Sequence, residues 1–223
     1  MVSSNPIPCE VDVLVRAYHH ARDVVEAAGY SNEIAYQESL QFDQIRETDF
    51  LREAAWVILC SGTKEAVIRQ KFQAISDAFL NWHSASLITQ HKSSCRAKAF
   101  ALYRHAGKID AIFEIAAAVS RDGFDTIRDS IINRGSNYLR QFAYFGPATS
   151  LHLAKNIGMD VVKPDRHLLR ISSAFGYNSP NEMCERISAA IGEKISVVDT
   201  VFWRYATIER HYASEFLRIA MQS

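Results

Sequence analysis

The sequence predicts an all-α protein with two lobes, and three observations support this. Apolar residues recur at three- and four-residue spacing along nearly the whole chain, which is the period of a helix. No segment keeps the two-residue alternation that is typical of a half-buried strand. Hydrophobic residues make up 48% of the 223 residues, whereas only nine are Gly and five are Pro, so a sizeable buried core is expected.

Stop signals divide the first part of the chain into helices. Gly29 ends the first helix, Thr48 can cap the second, and a break at Ser61, Gly62 and Thr63 separates the second from the third. Gly123 ends the last of this group. The predicted helices cover residues 10–28, 49–60, 64–82, 84–90, 94–105 and 108–121.

The second part of the chain continues in the same way. Pro147 begins one helix and Gly158 follows its end, which is the usual asymmetry of Pro and Gly at helix termini. Pro164 and Gly176 enclose a later helix in the same manner. The predicted helices cover residues 124–133, 136–144, 147–157, 165–175, 181–191 and 197–220.

Composition limits the possible classes of protein. No run of about 18 apolar residues is present, so no membrane span is predicted. The N-terminus lacks a basic region followed by an apolar stretch, so a cytoplasmic protein is expected, at the nucleoid if the source is bacterial. The four cysteines have no paired spacing, which argues against a metal or iron–sulfur site, and no cofactor is expected. They are Cys9, Cys60, Cys95 and Cys184.

The net charge is zero, which argues mildly against nucleic-acid binding, because a basic protein neutralises phosphates better. One mildly basic stretch could follow a DNA backbone or be an ordinary solvated face. It contains Lys92, Arg96, Lys98, Arg104 and Lys108.

The segment FAYFGPATS, residues 142–150, predicts a tight turn between two helices. Gly146 permits an unusual backbone angle, and Pro147 begins the second helix. Unpaired N–H groups at that helix N-terminus suit a phosphate oxygen, to which Thr149 can add a hydroxyl and Lys155 a charge. The alternative is an ordinary helical hairpin with a Gly stop.

The segment KPDRHLLRI, residues 163–171, places Asp165 where a helix N-cap belongs. Backbone N–H groups and the helix dipole would keep this carboxylate ionised and fixed in orientation. The alternative is that Asp165 only caps the helix. His167 is interpreted as packing or hydrogen-bonding between the two halves of the protein, rather than as a catalytic group.

Together, the two motifs resemble the helix-hairpin-helix DNA glycosylase superfamily. That family has a Leu-Pro-Gly-(Val/Ile)-Gly hairpin followed by a Thr-Ala helix, and then Val-Asp-x-His-(Val/Ile)-x-Arg-Val. Residues 146–150 match the second half of the hairpin and residues 165–171 match the second motif. The resemblance extends over roughly residues 45–205. Residues 51–79 are similar to the helices around the family's lesion-probing loop, and residues 101–109 to the stretch that ends in a Lys-initiated helix.

The departures from the family pattern are informative. Tyr144 stands where the hairpin usually has its first Gly. Ala148 stands where bifunctional members carry a catalytic Lys. The cysteine cluster of the iron–sulfur members is absent from the C-terminal segment. The resemblance is therefore to a monofunctional, metal-free branch.

What the resemblance implies is a monofunctional glycosylase that hydrolyses the N-glycosidic bond of a damaged or modified base in base-excision repair. Asp165 would be the catalytic residue, and the partner would be double-stranded DNA bound by a monomer. The implied DNA-binding residues are Gly146, Pro147, Thr149, Lys155, Lys163, Arg166 and Arg170. Candidates for the base pocket or probing loop are Trp56, Ser61, Gly62, Thr63, Tyr144 and Phe145, with Tyr103 and Trp203 as further aromatic candidates.

In such a fold, the hairpin would lie at the cleft between a central lobe of about residues 60–160 and a second lobe of about 1–59 and 161–223. Two other functions stay open. The chain could be a helix-hairpin-helix DNA-binding protein without catalysis, although a mere binder has no use for the Asp165 carboxylate. It could also be a glycosylase scaffold that acts on another small substrate, because fold alone does not determine function.

Overall fold

The computed structural model describes residues 10–221, and every regular element in this range is helical. Short 3-10 helices lie at Phe42–Gln44, Leu80–Trp82 and Gly135–Gln141. The α-helices are α1 (Val11–Ala27), α2 (Ser31–Ser39), α3 (Glu47–Cys60), α4 (Glu65–Ala78), α5 (Ala85–Gln90), α6 (Lys92–Leu102), α7 (Ala106–Asp122), α8 (Phe124–Arg134), α9 (Pro147–Asn156), α10 (Arg166–Ala174), α11 (Pro180–Ile191), α12 (Ile195–Ile208) and α13 (Tyr212–Met221). None of these described helices is long and apolar enough to cross a membrane.

The chain forms two compact units. One combines the described residues up to Leu40 with those from Gly158 onward, and the other is Gln41–Ile157. Helix α3 belongs to the second unit, where it packs against α4, α7 and α9. The first boundary therefore lies nearer the N-terminus than the expected position at residue 59. The reason is that α3 buries side chains around most of its circumference and so needs partners on several sides.

The first unit is built around α12, which packs against α1, α2, α10 and α11. Phe202 and Tyr205 of this helix are buried, and Phe202 meets Tyr18 and Phe216 edge-on. Aromatic pairs of this geometry add to the stabilisation from burial alone. Leu168 and Ile171 join the same core and so fix the orientation of α10.

The second unit is centred on α7, which packs against α3, α5, α6 and α8. Its buried face includes Ile109, Ile112 and Phe113, and the ring of Phe113 contacts that of Phe79. Full burial of such side chains stabilises by roughly 1.5–3 kcal/mol each. The first turn of α7 is therefore part of a well-fixed element.

Most predicted helices are confirmed to within a few residues, but four expectations are wrong. Helix α3 begins before Thr48, with Arg46 at the N-cap position and no side-chain cap. The helix predicted over residues 64–82 ends at Ala78, because the backbone kinks into the left-handed region around Asn81. Residues 135–141 form a 3-10 helix rather than an α-helix, and residues 142–144 belong to the turn that follows it. The helix predicted over residues 197–220 is two helices, α12 and α13.

Candidate functional site

The hairpin turn has its unusual backbone angle at Tyr144 rather than at Gly146. Tyr144 has φ of 70°, whereas Gly146 has φ of −86° and ψ of −172°, which is ordinary extended backbone. The expectation for Gly146 is therefore wrong. A non-glycine residue in the left-handed region costs roughly 1–2 kcal/mol, so contacts of the Tyr144 side chain have to compensate. The resemblance to the glycosylase hairpin predicts that its first Gly corresponds to this position.

Thr149 holds this turn together through its hydroxyl group. The hydroxyl accepts a hydrogen bond from the Gly146 N–H at 2.7 Å and donates one to the Tyr144 carbonyl oxygen at 2.8 Å. Its only proton is thus used inside the turn. Among the described residues, the backbone N–H groups of Ala148 and Thr149 make no hydrogen bond, so the first turn of α9 keeps two donors for a ligand.

A pocket of about 450 Å³ lies against this turn. Phe145 and Tyr144 form part of its wall, and Ser61, from the break between α3 and α4, forms another part. The structure thus brings the predicted break and the predicted hairpin to one pocket, whose wall carries no charged side chain. Its lining residues are Ser61, Phe142, Tyr144, Phe145, Gly146, Pro147, Ala148 and Thr149.

Two further candidates for the base pocket lie elsewhere. Trp56 is not among the lining residues and packs edge-on against Phe72, with ring centroids 5.0 Å apart. Trp203 belongs to the other unit, where the Arg204 guanidinium lies 4.6 Å from the centre of its ring. Both aromatic side chains are thus occupied by contacts within their own unit.

Two lysines that the sequence offered as DNA contacts are buried. Lys155 is only 7% exposed, so little of its side chain can reach a phosphate. Lys108 is 3% exposed, and its ammonium donates hydrogen bonds to backbone and side-chain oxygens. Arg96, in the same basic stretch, forms an ion pair with Asp110 at 2.7 Å. This stretch is therefore not the continuous basic surface that its sequence suggested.

Asp165 is the N-cap of α10, as predicted. Its Oδ1 atom accepts hydrogen bonds from the N–H groups of His167 at 2.8 Å and Leu168 at 3.1 Å. Its Oδ2 atom accepts no hydrogen bond from the described part of the chain, and the residue is partly exposed. One oxygen thus fixes the orientation of the carboxylate while the other stays available to a cation or a water molecule.

Two carboxylates that sequence reasoning missed hold the segment before Asp165. Asp199 is 1% exposed, and its Oδ2 accepts a hydrogen bond from the Lys163 N–H at 2.6 Å. Asp160 accepts one from the Ser196 N–H at 2.8 Å, so the loop and the start of α12 support each other. The sequence did contain a signal for Asp199, because it lies inside the apolar run ISVVDTVF. A carboxylate in such a run is expected to be buried, and a buried carboxylate needs a hydrogen-bond partner.

His167 has a structural partner within its own unit. Its Nδ1 atom lies 3.0 Å from the hydroxyl of Tyr212, and Arg166 Nε lies 3.4 Å from its Nε2 atom. Burial lowers the pKa of His167 below its usual range, although the nearby Asp165 acts in the opposite direction. A neutral imidazole that links α10 to α13 agrees with a structural role.

Arg166 and Arg170 are exposed on α10, close to Asp165 in sequence. Neither forms an ion pair with any described residue, so the internal salt bridge that is common for such an arginine is not present. Lys163, two residues before Asp165, is half-buried. Within residues 10–221, no group of three or more His, Cys, Asp or Glu side chains could hold a metal ion; Cys9 lies outside that range.

Comparison with known proteins identifies a fold. No family model matches the sequence, and no curated protein is similar to it. Among solved structures, the chain is similar to the 8-oxoguanine glycosylase/lyase of Methanocaldococcus jannaschii, which was crystallised in complex with a 15-mer DNA containing 8-oxoguanine. The TM-score is 0.57 at 16% identity, over 85% of this chain and 97% of that one. The all-α glycosylase fold that the two motifs predicted is confirmed.

Proposed function

We propose that this protein is a DNA glycosylase that hydrolyses the N-glycosidic bond of a damaged or modified base. The observation that carries the proposal is the carboxylate of Asp165, which has one oxygen fixed by two backbone N–H groups and the other free. A cap needs only the first oxygen. The second is suited to stabilise a cation.

The chemistry follows from the charge that develops during the reaction. As the bond between base and sugar breaks, the base leaves with the electron pair and positive charge develops on the sugar. A fixed carboxylate stabilises this charge and can accept a proton from the water whose oxygen bonds to the sugar carbon. The departing base takes up one proton in turn, so the products are the free base and an abasic sugar. The base lies inside the stack before reaction, so the nucleotide has to be flipped out of the duplex.

Phosphate contacts would come from two groups of donors. The unpaired N–H groups of Ala148 and Thr149 at the start of α9 suit a backbone phosphate. Arg166 and Arg170 are exposed and without an ion-pair partner in the described chain, so each can neutralise a phosphate. Binding would thus be largely independent of base sequence, and a monomer bound to double-stranded DNA satisfies this scheme.

We propose in addition that the enzyme acts without cutting the strand. Strand cleavage through a Schiff base needs a lysine amine that reaches the first carbon of the sugar. Ala148, in the wall of the hairpin pocket, has no amine to offer. The Methanocaldococcus protein is described as a glycosylase/lyase, so the two proteins would differ in this step.

A panel of duplexes that each carry one damaged base tests the proposal. Release of any base from one of them, 8-oxoguanine being the first to try, would establish the activity. Binding to an abasic-site duplex without any release would favour the catalytically inactive DNA-binding protein. Absence of binding even at low salt would favour the third reading, a scaffold for another small substrate.

The double variant Arg166→Ala/Arg170→Ala should make DNA binding less sensitive to salt. In a plot of log K against log salt concentration, each lost phosphate contact should reduce the slope by roughly 0.9. The double variant should therefore reduce it by about 1.8. The measurement is the affinity for an abasic-site duplex over a salt series. Arg46→Ala is the control, because Arg46 is exposed but paired with Asp49. An unchanged slope in the double variant would place the phosphate contacts elsewhere.

A further inference from the structure

Lys108 attaches the loop between α3 and α4 to the first turn of α7. Its ammonium nitrogen lies 2.7 Å from the Leu59 carbonyl oxygen, 2.6 Å from the Ser61 carbonyl oxygen and 2.9 Å from Thr63 Oγ1. Together with the Tyr103 hydroxyl, these oxygens offer four acceptors to its three protons. The carbonyl groups at the end of a helix lack partners within the helix, so a cation here also stabilises the end of α3.

A second set of contacts supports the attachment of this loop to α7. The Tyr103 hydroxyl lies 3.0 Å from Thr63 Oγ1 and 3.3 Å from the ammonium of Lys108. The ring of Tyr103 stacks on that of His105, and Nδ1 of His105 accepts a hydrogen bond from the Lys108 N–H. Ser61 therefore reaches the pocket wall from a loop whose position is set by residues 105–108.

Tyr144 attaches the hairpin turn to the same turn of α7. Its ring meets His105 edge-on, with centroids 6.1 Å apart. A Cβ atom placed on Gly107 would lie 2.7 Å from the Tyr144 hydroxyl, closer than real Cβ contacts allow. Gly107 is a helical residue and φ does not require glycine there, so the approach of the Tyr144 hydroxyl is the contact that a larger side chain would disturb.

We infer that residues 105–108 are a positioning element that sets the spacing between the two walls of the hairpin pocket. Lys108 holds the Ser61 wall, while Gly107 and His105 receive the Tyr144 side chain of the hairpin wall. The inference deepens the proposed function, on which its catalytic consequence rests. Residues 105–108 need not touch the reacting atoms to have this effect.

A double-mutant cycle between Gly107 and Tyr144 tests the inference. Gly107→Ala should push the Tyr144 ring away and disturb the turn. In a Tyr144→Phe background the clashing oxygen is gone and the nearest ring carbon, at 3.8 Å, is an ordinary contact. The same alanine should then be tolerated. A disturbance of about 1 Å at such a site can lower a rate by about a hundredfold.

Two readouts are measured in the full-length protein, alongside the melting temperature. One is amide hydrogen exchange at residues 61–63 and 144–149, and the other is single-turnover base release. Gly107→Ala should accelerate exchange at residues 144–149 and slow base release by about tenfold or more. In the Tyr144→Phe background, the same substitution should change the exchange rates and the release rate by less than about twofold each. Equal effects of the alanine in both backgrounds would overturn the inference.

The Lys108 side of the element is tested through Thr63, since removal of a buried lysine can unfold the unit. Thr63→Ser keeps the hydroxyl that accepts from Lys108 and should show the same exchange at residues 61–63 as the parent protein. Thr63→Val removes it and should accelerate exchange at residues 61–63. Parental exchange in the valine variant would show that Lys108 does not hold this loop through the hydroxyl, against the inference.

The exchange measurements also separate the two proposals. If the parent protein releases no base from any duplex, the proposed function fails, while the exchange cycle still decides whether residues 105–108 hold the two walls. If the parent releases a base and the cycle shows no coupling, only the positioning element is wrong.

Discussion

Asp165→Asn should slow base release roughly a hundredfold to thousandfold, which is the usual loss when one preorganised charge interaction is removed from a transition state. Asn carries no negative charge to oppose the cationic sugar and is a poor base for water. Its side-chain oxygen can still accept the hydrogen bonds from His167 and Leu168, so the helix stays capped. The measurement is single-turnover release from the duplex that the panel identifies.

Asp160→Asn is a matched control for this experiment. It makes the same chemical change five residues earlier, on a carboxylate that accepts a hydrogen bond from Ser196. Its release rate should stay close to that of the parent. Should Asp165→Asn melt normally and release the base at the parental rate, Asp165 would be no more than a cap. Affinity for DNA can rise slightly in Asp165→Asn, because a carboxylate repels phosphates.

The second large effect is expected at Ala148. The parent protein should give no covalent adduct with an abasic-site duplex in the presence of borohydride, whereas Ala148→Lys should give one. The lysine amine would attack the sugar aldehyde, lose water to form an imine, and be fixed to the DNA when borohydride reduces the imine. Ala148 is exposed in the wall of the hairpin pocket, so the longer side chain has room there.

Ala148→Arg is the control for the new lysine, because it adds a similar length and charge without a nucleophilic amine. An adduct with the arginine variant would point to another amine. An adduct with the parent protein would overturn the proposal that the enzyme does not cut the strand. Lys163→Gln and Lys155→Gln would then show which lysine forms it. Absence of an adduct in all three proteins would indicate that residue 148 does not reach the sugar.

The parts of the fold that were predicted correctly depend on local chemistry. Pro147 and Gly158 enclose α9, and Asp165 caps α10. The pyrrolidine ring of Pro147, the missing Cβ of Gly158 and the short carboxylate of Asp165 each act on the backbone next to them. The break between α12 and α13 was missed because no Gly or Pro marks it. There Glu209 leaves the helical conformation and its carboxylate accepts the N–H of His211.

The site shows the same division between local and distant causes. The role of Asp165 as a cap was readable from its neighbours in the sequence, whereas the left-handed conformation of Tyr144 before Pro147 was not. The burial of Lys108 depends on Leu59 and Thr63, far away in the sequence, and no local pattern distinguishes it from a solvated lysine. Asp199 likewise acquires its role only when α12 packs beside the segment that carries Lys163.

Because Tyr144 has a left-handed backbone conformation, this hairpin is poorly suited to transfer into another protein. Where a Gly occupies that position, the short motif can adopt the turn by itself, because Gly reaches positive φ without strain. Here the conformation depends on His105 and Gly107, which belong to a different stretch of sequence. Residues 142–150 grafted onto another scaffold would therefore keep the hydrogen bonds of Thr149 but lose the contacts that support the left-handed Tyr144, unless the start of α7 were transplanted with them. The hairpin of this protein thus depends on tertiary contacts as well as on its own sequence.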